Sequence, residues 1–371
     1  MKTNSIENII KLHLAKYPAM EITDMLKMLY QSEFGSDQPE NPTLSNEQLL
    51  EELKALPNTE GSVCEDLGDG LCRVYLGQLL NIFPDKTIAS RIITAISSES
   101  IAFFRGTLEG YFEKLVIFLI LIAQNKLSDI SSLSDKNWAN SYSLVSQYIS
   151  DHKKAGCPIP CHSESYKEKY QSVYCVVLKE FARYLDLFQS IEAKAKEKSR
   201  IIIAIDGKCG SGKSTLAKII SSVYNCPVIR ADDFFLPGDL RSEERLTMPG
   251  GNIHYERFLE EIITPLAQGK NNFSYKVFDC HAMDYTPSPK EISFSNIAVI
   301  EGSYSMRPEF REVYDISVFL DAGQAAQKNR ITARGGELVY EMFEQKWIPL
   351  ENRYFEHFNI AENCNIVYEA D

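Results

Sequence analysis

The chain has 371 residues, 44% of them hydrophobic, which is enough for two domains that each bury a core of their own. Its net charge is -12, and both halves carry more acidic than basic residues, which excludes the basic surface typical of nucleic-acid binders and of proteins held on anionic membranes. We therefore predict small-molecule partners, no nucleic acid and no membrane; a homo-oligomer stays possible.

Cysteine content and the start of the chain indicate the compartment. The nine cysteines are odd in number and scattered, and residues 1–7 are polar with no apolar segment of the secretory type behind them. We therefore expect a reducing, cytoplasmic location. The most apolar run, Leu115 to Ala123, is far shorter than the roughly 20 residues needed to span a bilayer, and it predicts a buried helix.

Residues 1–195 have the apolar spacing of helices throughout. The pattern begins with Ile6, Ile9, Ile10 and Leu14, and no alternating run of strand length is evident. We predict an all-α domain of about seven or eight helices, interrupted by turns rich in proline and glycine. Its last helix, Val173 to Lys198, is predicted to connect to the second half. No family is recognised in this half, and its role is left open.

Two local features of this half could bind a metal ion. Cys157, Cys161 and His162 lie in one loop, but zinc sites need four ligands and no second pair lies nearby, so we interpret the segment as a proline-stiffened loop. Asp66 and Asp69 stand in a glycine-rich stretch that lacks the remaining oxygen ligands of a calcium loop, and they predict a turn that caps the start of a helix.

Three tyrosines follow this loop at intervals of four residues. Tyr166, Tyr170 and Tyr174 would share one face of a helix, and such a stripe is more typical of a packed core than of a binding site. We therefore predict a core-facing helix here, with a role at a neighbouring active site as the alternative.

A phosphate-binding loop begins the second half. The apolar run Ile201 to Ile205 predicts a buried strand, Ser214 to Val223 predicts an amphipathic helix, and the residues between them satisfy G-x-x-x-x-G-K-[ST]. Loop amides, the helix N-terminus and the Lys213 ammonium can together hold phosphates, while a serine hydroxyl can hold magnesium. We predict that ATP and Mg²⁺ bind at Gly207, Lys208, Cys209, Gly210, Ser211, Gly212, Lys213, Ser214 and Thr215.

A carboxylate pair follows the next predicted strand. Pro227 to Arg230 reads as that strand, with Asp232 and Asp233 just beyond it. In open α/β sheets, functional groups gather at the carboxyl ends of the strands. Asp232 is therefore a candidate base for a hydroxyl that receives a phosphoryl group, with a helix N-cap as the alternative.

These motifs resemble the uridine kinase, nicotinamide riboside kinase and phosphoribulokinase group of P-loop kinases. The resemblance rests on Ile205-Asp206-Gly207 leading into the loop and on Arg230-Ala231-Asp232-Asp233-Phe234-Phe235, and it covers roughly residues 199–371. It implies that Asp232 is the catalytic base and that Asp233 is a neighbouring polar contact or a contact to metal-bound water.

The same resemblance implies an acceptor pocket in the middle of this half. We predict that its residues are Asp233, His254, Tyr255, Arg257, Tyr275, Asp279 and His281. His254 stands where the family usually has an aspartate, which weakens the case for a nucleoside acceptor. Tyr275 and Asp279, which we place on a third strand, are also spaced differently from the adjacent pair of uridine kinases.

Two further segments complete the predicted site. Ile297 to Glu301 is an apolar strand ending in a carboxylate, so Glu301 is expected beside the loop, where it would hold magnesium together with Ser214. Arg330 and Arg334 lie four residues apart on one predicted helix face. The resemblance implies a lid whose arginines stabilise charge on the transferring phosphoryl group, with a solvated basic face as the alternative.

The sequence as a whole predicts an α/β P-loop NTPase domain over 196–371, with a parallel sheet and helices on both faces, preceded by the all-α domain. We expect an ATP- and magnesium-dependent kinase whose catalytic residues are Asp232, Lys213, Arg330 and Arg334. A nucleoside such as uridine is the leading acceptor by resemblance, and a sugar, vitamin precursor or amino acid is the alternative. A nucleotide-sensing regulator without kinase activity is the other class of function left open.

Overall fold

The computed structural model describes residues 6–35, 46–104, 106–127, 141–170, 173–279 and 282–370. The chain divides into two compact units, Met1–Leu185 (unit 1) and Asp186–Asp371 (unit 2). This division precedes the predicted boundary at 195 because most of the helix Leu185–Glu197 associates with unit 2. The Tyr224 hydroxyl donates to Glu192 at 2.8 Å, and the Tyr368 hydroxyl donates to Asp186.

Unit 1 is mainly helical, as predicted. Its helices are α1 (Ile6–Lys16), α2 (Ile22–Phe34), α3 (Asn46–Ala55), α4 (Leu76–Ile82), α5 (Lys86–Ile101), α6 (Leu108–Ala123), α7 (Tyr142–Lys154), α8 (Glu164–Tyr170), α9 (Lys179–Ala182) and α10 (Leu185–Glu197), the last crossing into unit 2. The predicted buried helix over 115–123 belongs to α6. Among the described residues, none of the helices combines the length and apolar character needed to cross a bilayer.

The expectation that residues 1–195 contain no strand was wrong, and so was the helix cap at Asp66 and Asp69, because Asp66 lies on a strand and Asp69 in the turn to the next strand. Three strands, β1 (Cys64–Gly68), β2 (Leu71–Tyr75) and β3 (Tyr174–Leu178), form an antiparallel sheet with β2 in the centre. All five residues of β2 are buried, so its sequence lacks the alternation that marks a strand with one solvated face.

The predicted connector helix over 173–198 was also wrong in its first part. The segment begins with β3, continues through the one-turn helix α9 and then forms the longer helix α10. Tyr174 therefore does not continue the helix of Tyr166 and Tyr170; it pairs with Tyr75 across the sheet. Tyr166 is buried, as predicted for a core position. The tyrosine spacing was misleading because the helix α8 ends at Tyr170.

Unit 2 is built on a five-stranded parallel sheet. Its strands are β4 (Ile201–Gly207), β5 (Val228–Arg230), β10 (Ile297–Glu301), β11 (Ile316–Ala322) and β12 (Ile366–Ala370), in the order β12-β11-β4-β10-β5. Every residue of β4 and β10 is buried, which explains their continuous apolar sequences. The carboxyl ends of β4, β10 and β5 meet at one edge of the sheet.

Helices follow the strands of this sheet, and two short ribbons lie outside it. The helices are α11 (Lys213–Tyr224), α12 (Glu243–Thr247), α13 (Tyr255–Phe258), α14 (Thr264–Ala267), α15 (Gln324–Gly335), α16 (Glu337–Met342) and α17 (Ile348–Phe358). The ribbons pair β6 (Asn272–Tyr275) with β9 (Lys290–Ser293), and β7 (Phe278–Asp279) with β8 (Asp284–Tyr285).

The predicted third strand over 275–281 was wrong, because β6 and β7 are separate strands outside the parallel sheet. In β6 only the last of the four residues is fully buried, whereas the sheet strands β4 and β10 are covered on both faces. Cys280 and His281 lie outside the described residues.

Candidate active site

The loop between β4 and α11 has a backbone that only glycine adopts easily. Gly207, Gly210 and Gly212 have φ angles of 141°, 72° and 98°, in the region that side chains disfavour. A Cβ atom at Gly207 would lie 2.2 Å from the carbonyl oxygen of Leu320 on β11. The loop therefore depends on these glycines to pass close to the neighbouring strand.

Lys213 and Ser214, the first two residues of α11, are directed to the loop and to β10. The Lys213 ammonium donates to the carbonyl oxygens of Gly207 and Lys208 at 2.7 and 2.8 Å. The Ser214 hydroxyl lies 3.2 and 3.3 Å from the two carboxylate oxygens of Glu301. An ammonium and a hydroxyl–carboxylate pair are thus placed at the same helix start.

Glu301 is a buried carboxylate at the sheet edge. The strand register sets it beside Ile205 of β4 and Arg230 of β5, and the residue is only 4% exposed. Burial, and secondly the nearby carboxylate of Asp232, raise the pKa of Glu301 above its ordinary value. The Arg230 guanidinium lies 3.5 Å away, on the exposed side of the pair. A bound cation would offset this unfavourable charge burial.

The consecutive residues Asp232 and Asp233 have different surroundings. Both lie in the helical turn Ala231–Phe234 that follows β5. The Asp232 side chain is 52% exposed, its carboxylate lies 3.6 Å from Arg230, and it acts electrostatically on Glu301. The Asp233 side chain is mostly buried and accepts the Tyr275 hydroxyl at 2.7 Å. Asp232 is therefore the carboxylate available at the site, whereas Asp233 anchors the turn.

Most of the other predicted acceptor residues are engaged in contacts with their own segment. His254 caps α13 by accepting the Arg257 amide at 3.4 Å. The Arg257 guanidinium is paired with Glu261 at 2.7 Å. Asp279 accepts the Ala282 amide at 3.2 Å, which closes a turn. The structure therefore brings Asp233 and Tyr275 together, while these three side chains have structural contacts.

Tyr255 is held between two cations. The guanidinium carbons of Arg245 and Arg307 lie 3.8 and 4.0 Å from the centre of its ring, and Arg245 also donates to its hydroxyl at 2.6 Å. Arg245 is in turn paired with Glu256 at 2.8 Å. The predicted substrate contact at Tyr255 thus lies within a rigid stack.

The two predicted lid arginines lie on α15. One guanidinium nitrogen of Arg330 donates to the Gly210 carbonyl at 3.2 Å, so this helix lies against the phosphate-binding loop. Arg334 is exposed, one turn further along the same helix. Gln327 adds a second contact, since its amide donates to the Cys209 carbonyl at 3.0 Å.

Sequence reasoning gave no role to two buried carboxylates that hold the loop in place. Asp206 is fully buried and accepts the amides of Gly207 and Met306 at 2.7 and 3.0 Å and the Tyr354 hydroxyl at 2.9 Å. An acidic residue at the end of an otherwise apolar strand was the signal for this position.

The second of these carboxylates is Glu351, on α17. It accepts the Cys209 amide at 2.9 Å and the Ser303 hydroxyl at 2.7 Å. The Ser303 hydroxyl also lies 3.0 Å from the Gly207 carbonyl. No sequence signal near Glu351 indicated this role, because its partner in the loop is 142 positions away.

Asp206 should make the stability of unit 2 depend on pH. Burial raises its pKa to about 6, so the folded state binds this proton more tightly than the unfolded chain. The stabilisation that this bound proton gives the folded state is fully present below pH ~4. It is lost as the pH rises through about 6, which lowers the free energy of unfolding by about 3 kcal/mol in total. The measurement is the free energy of unfolding of wild type and Asp206→Asn between pH 4 and 7. The difference in unfolding free energy between wild type and Asp206→Asn should change over this pH interval. A constant difference would refute the raised pKa of Asp206.

A cavity of about 280 Å³ adjoins the loop on the side of α15. Lys208 of the loop reaches it, and its ammonium is paired with Asp321 at 2.6 Å. The cavity has both amide and apolar walls, which are suited to a flat heterocycle with polar edges. Its lining residues are Lys208, Gln324, Gln327, Tyr340, Glu344, Ile348 and Asn352.

Comparisons with known proteins give structural likenesses only. No family model and no curated protein sequence matches the chain. It is similar to a solved structure of a possible uridine kinase from Bacillus stearothermophilus, with 19% identity, 49% of this chain and 99% of that chain covered, and a TM-score of 0.36. It is similar to D-glycerate 3-kinase from Cryptococcus neoformans, with 12% identity and a TM-score of 0.34; the match covers 48% of this chain and 92% of that chain.

A third similar structure is shikimate kinase from Bacteroides thetaiotaomicron, with 20% identity, 46% and 86% of the two chains covered, and a TM-score of 0.26. All three likenesses therefore extend over about half of this chain. Because the identities and TM-scores are low, these likenesses do not identify a function for this chain.

Proposed function

We propose that unit 2 is an ATP-dependent kinase that transfers the γ-phosphoryl group to a hydroxyl of a small molecule. The observation that carries this proposal is the meeting of three parts at one sheet edge. These parts are the loop with Lys213, the Ser214–Glu301 pair, and the exposed carboxylate of Asp232. Phosphoryl transfer needs these parts, since positioning and charge stabilisation supply most of its catalysis.

The residues present fit a magnesium ion. Ser214 and Glu301 offer a hydroxyl and a carboxylate within 3.3 Å of each other, and hard oxygen ligands of this kind suit Mg²⁺ when phosphates and waters supply the rest. The raised pKa of Glu301 reflects a buried carboxylate that lacks a full counter-charge. When bound, the ion would neutralise charge on the phosphates. Among the described residues, no group of three or more His, Cys, Asp or Glu side chains could hold a metal without such help.

Each side chain of the site then has a defined task. The loop amides and the Lys213 ammonium hold the phosphates, and Lys213 exchanges its two backbone contacts for phosphate oxygens. Asp232 accepts the proton of the attacking hydroxyl, for which its exposure beside the loop is suited. Arg330, already bonded to the loop, is placed to stabilise charge as the phosphoryl group moves.

The cavity beside Lys208 is proposed to take the nucleotide base and ribose. We expect Ile348→Trp to fill it and to raise the KM for ATP at least tenfold with a smaller change in kcat, because the reacting groups are untouched. The matched control is Leu338→Trp, since Leu338 is 80% exposed and does not line the cavity. Initial-rate kinetics over a range of ATP concentrations give KM and kcat for both variants. An unchanged KM in Ile348→Trp would contradict this location of the base.

The acceptor is proposed to be a nucleoside such as uridine, on the sequence resemblance alone, and a sugar, vitamin precursor or amino acid is next in order. The test is ADP release when the protein is incubated with ATP, Mg²⁺ and single members of a panel of hydroxylated metabolites. One member should raise ADP release well above the rate with water, and Lys213→Ala should abolish the increase. ATP binding without acceptor-dependent ADP release across the panel would favour the nucleotide-sensing regulator.

A further inference from the structure

A layer of charged and hydroxylated side chains lies inside unit 1, on the face of its sheet that α1 and α2 cover. The register sets Glu65 opposite Arg73 and Tyr174 opposite Tyr75. Arg73 is fully buried, with its guanidinium donating twice to the side-chain oxygen of Gln31, at 3.2 and 2.9 Å. Burying such a charge costs several kcal/mol before its partners offset it, and apolar side chains would stabilise the core more simply. Departures of this kind are concentrated at functional sites.

Within this layer, Asp24 fixes the state of His162. The Asp24 carboxylate is fully buried, lies 2.8 Å from Nδ1 of His162, and accepts the amide and hydroxyl of Ser163 at 2.9 and 2.6 Å. Burial opposes its ionisation, but these hydrogen bonds outweigh burial and keep the pKa of Asp24 below its ordinary value. An ionised Asp24 can only accept, so the proton of the imidazole lies on Nδ1. Nε2 is then left as an acceptor.

The acceptor nitrogen of His162 faces a tyrosine. Nε2 lies 2.6 Å from the Tyr174 hydroxyl. Burial lowers the pKa of His162, so the imidazole is neutral near pH 7 and free to take a proton. The guanidinium of Arg73 lies 4.5 Å from the centre of the Tyr174 ring, and the Tyr174 hydroxyl also lies 3.2 Å from the side-chain oxygen of Gln31. Asp24, His162 and Tyr174 thus have the order of an orienting group, a base and a hydroxyl nucleophile.

Exposure increases along this series. Asp24 is 0% exposed, the His162 side chain is 10% exposed, and Tyr174, at the start of β3, is half-buried. Tyr174 is therefore the member of the series with the largest exposed fraction.

The charges around the series indicate the substrate class. Arg73 and Lys27 are buried cations that both act on His162. The carboxylate of Glu65 offsets part of this charge, since it lies 3.4 Å from the Arg73 guanidinium and accepts the hydroxyls of Tyr17 and Tyr75, at 2.6 and 2.5 Å. Positive charge beside the hydroxyl favours an anionic electrophile, and the most common biological one is a phosphate ester.

We propose that unit 1 carries a second active site, in which the Tyr174 hydroxyl, activated by His162 and oriented through Asp24, attacks a phosphate ester. The Tyr174 O–P bond forms as the bond from phosphorus to the leaving alkoxide breaks. The tyrosine proton passes to Nε2 of His162 and then to the leaving oxygen. Water attacks the phosphotyrosine by the same route, with His162 taking its proton and returning it to Tyr174. The site uses neither ATP nor any residue of unit 2.

The first test is covalent labelling of the full-length protein by an alkyl fluorophosphonate, with a chelator present and no nucleotide. Attack forms the O–P bond and releases fluoride, and mass spectrometry of peptides locates the adduct. Tyr174 should react at least tenfold faster than Tyr148, although Tyr148 is 41% exposed on α7. Equal or slower labelling of Tyr174 would overturn the proposal, and this comparison needs no variant to fold.

Variants then test the separate roles of Asp24, His162 and Tyr174. Tyr174→Phe should give no adduct at residue 174, and His162→Gln should slow labelling of Tyr174 roughly 100-fold, the low end for loss of a positioned base. Asp24→Asn should slow it in the same way, while the rate at Tyr148 stays unchanged in each variant. Thermal unfolding checks that each variant is folded. A folded His162→Gln protein that is labelled at the wild-type rate would overturn the role of the base.

The substrate class is tested separately, in Lys213→Ala so that unit 2 is inactive. We expect release of 4-nitrophenol from 4-nitrophenyl phosphate or bis(4-nitrophenyl) phosphate, and its loss when Tyr174→Phe is added. Release from 4-nitrophenyl acetate alone would overturn the choice of phosphate esters. Because the proposed kinase reaction needs Lys213 and this one does not, failure of either proposal can be recognised independently.

Discussion

Replacing Asp232 by Asn is expected to lower kcat for phosphoryl transfer by roughly 10²- to 10⁴-fold, the range supplied by a positioned general base. The amide keeps the size of the side chain but cannot take the acceptor proton. Because Asp232 is half exposed and lies 3.6 Å from Arg230, the folded structure should tolerate the change. Steady-state rates of ADP release at saturating ATP and acceptor measure it.

The adjacent residue provides the control. Asp233→Asn removes the carboxylate that accepts the Tyr275 hydroxyl at 2.7 Å, so we expect it to lower stability by about 1–3 kcal/mol, with a smaller effect on kcat. The pair of variants separates catalysis from folding at neighbouring positions. Full turnover in Asp232→Asn, or an equal loss of rate in both variants, would show that the base has been assigned to the wrong residue.

Lys213→Ala is expected to lower kcat/KM for ATP by at least about 10²- to 10³-fold, the loss seen when one preorganised charge-stabilising donor is removed. In the structure the ammonium bonds to the carbonyls of Gly207 and Lys208, and these contacts can be exchanged for phosphate oxygens at little cost. The measurement is the rate of ADP release as a function of ATP concentration, together with ATP binding by calorimetry.

Lys218→Ala is the matched control for this change, since Lys218 lies on the same helix α11 and is exposed. It should leave both the rate and ATP binding within about a factor of two, as expected for a solvated surface charge. If the two lysine variants bound ATP equally well, the loop would have to hold the nucleotide through its amides alone, and Lys213 would lose its proposed role.

The parts of unit 2 that could be predicted from sequence are those with local causes. The strands β4 and β10 are apolar at nearly every position because both faces of a parallel sheet are covered, and this pattern is visible without a structure. The loop glycines are required by local φ angles, and the residues at strand ends follow from the parallel register. The phosphate-binding loop and the position of Glu301 beside Ser214 were therefore accessible from the sequence.

The parts that could not be predicted depend on contacts between distant segments. Whether His254 meets a substrate or caps a helix depends on how α13 is placed, which no local pattern encodes. The central strand β2 was missed because all of its residues are buried, so its pattern does not alternate. The Asp24–His162 contact joins residues 138 positions apart, and neither residue has a neighbouring motif that would indicate it.

The contacts of α17 with the phosphate-binding loop have a consequence for how unit 2 is completed during synthesis. Glu351 and Tyr354 bond to Cys209 and Asp206 across 142 and 148 positions, so the loop emerges from the ribosome long before the side chains that anchor it. A nascent chain that stops short of Ile348 would carry every residue of the nucleotide motif and still lack these two anchors. Acquisition of nucleotide affinity should thus be a late event in translation, and stalled chains of increasing length could time it.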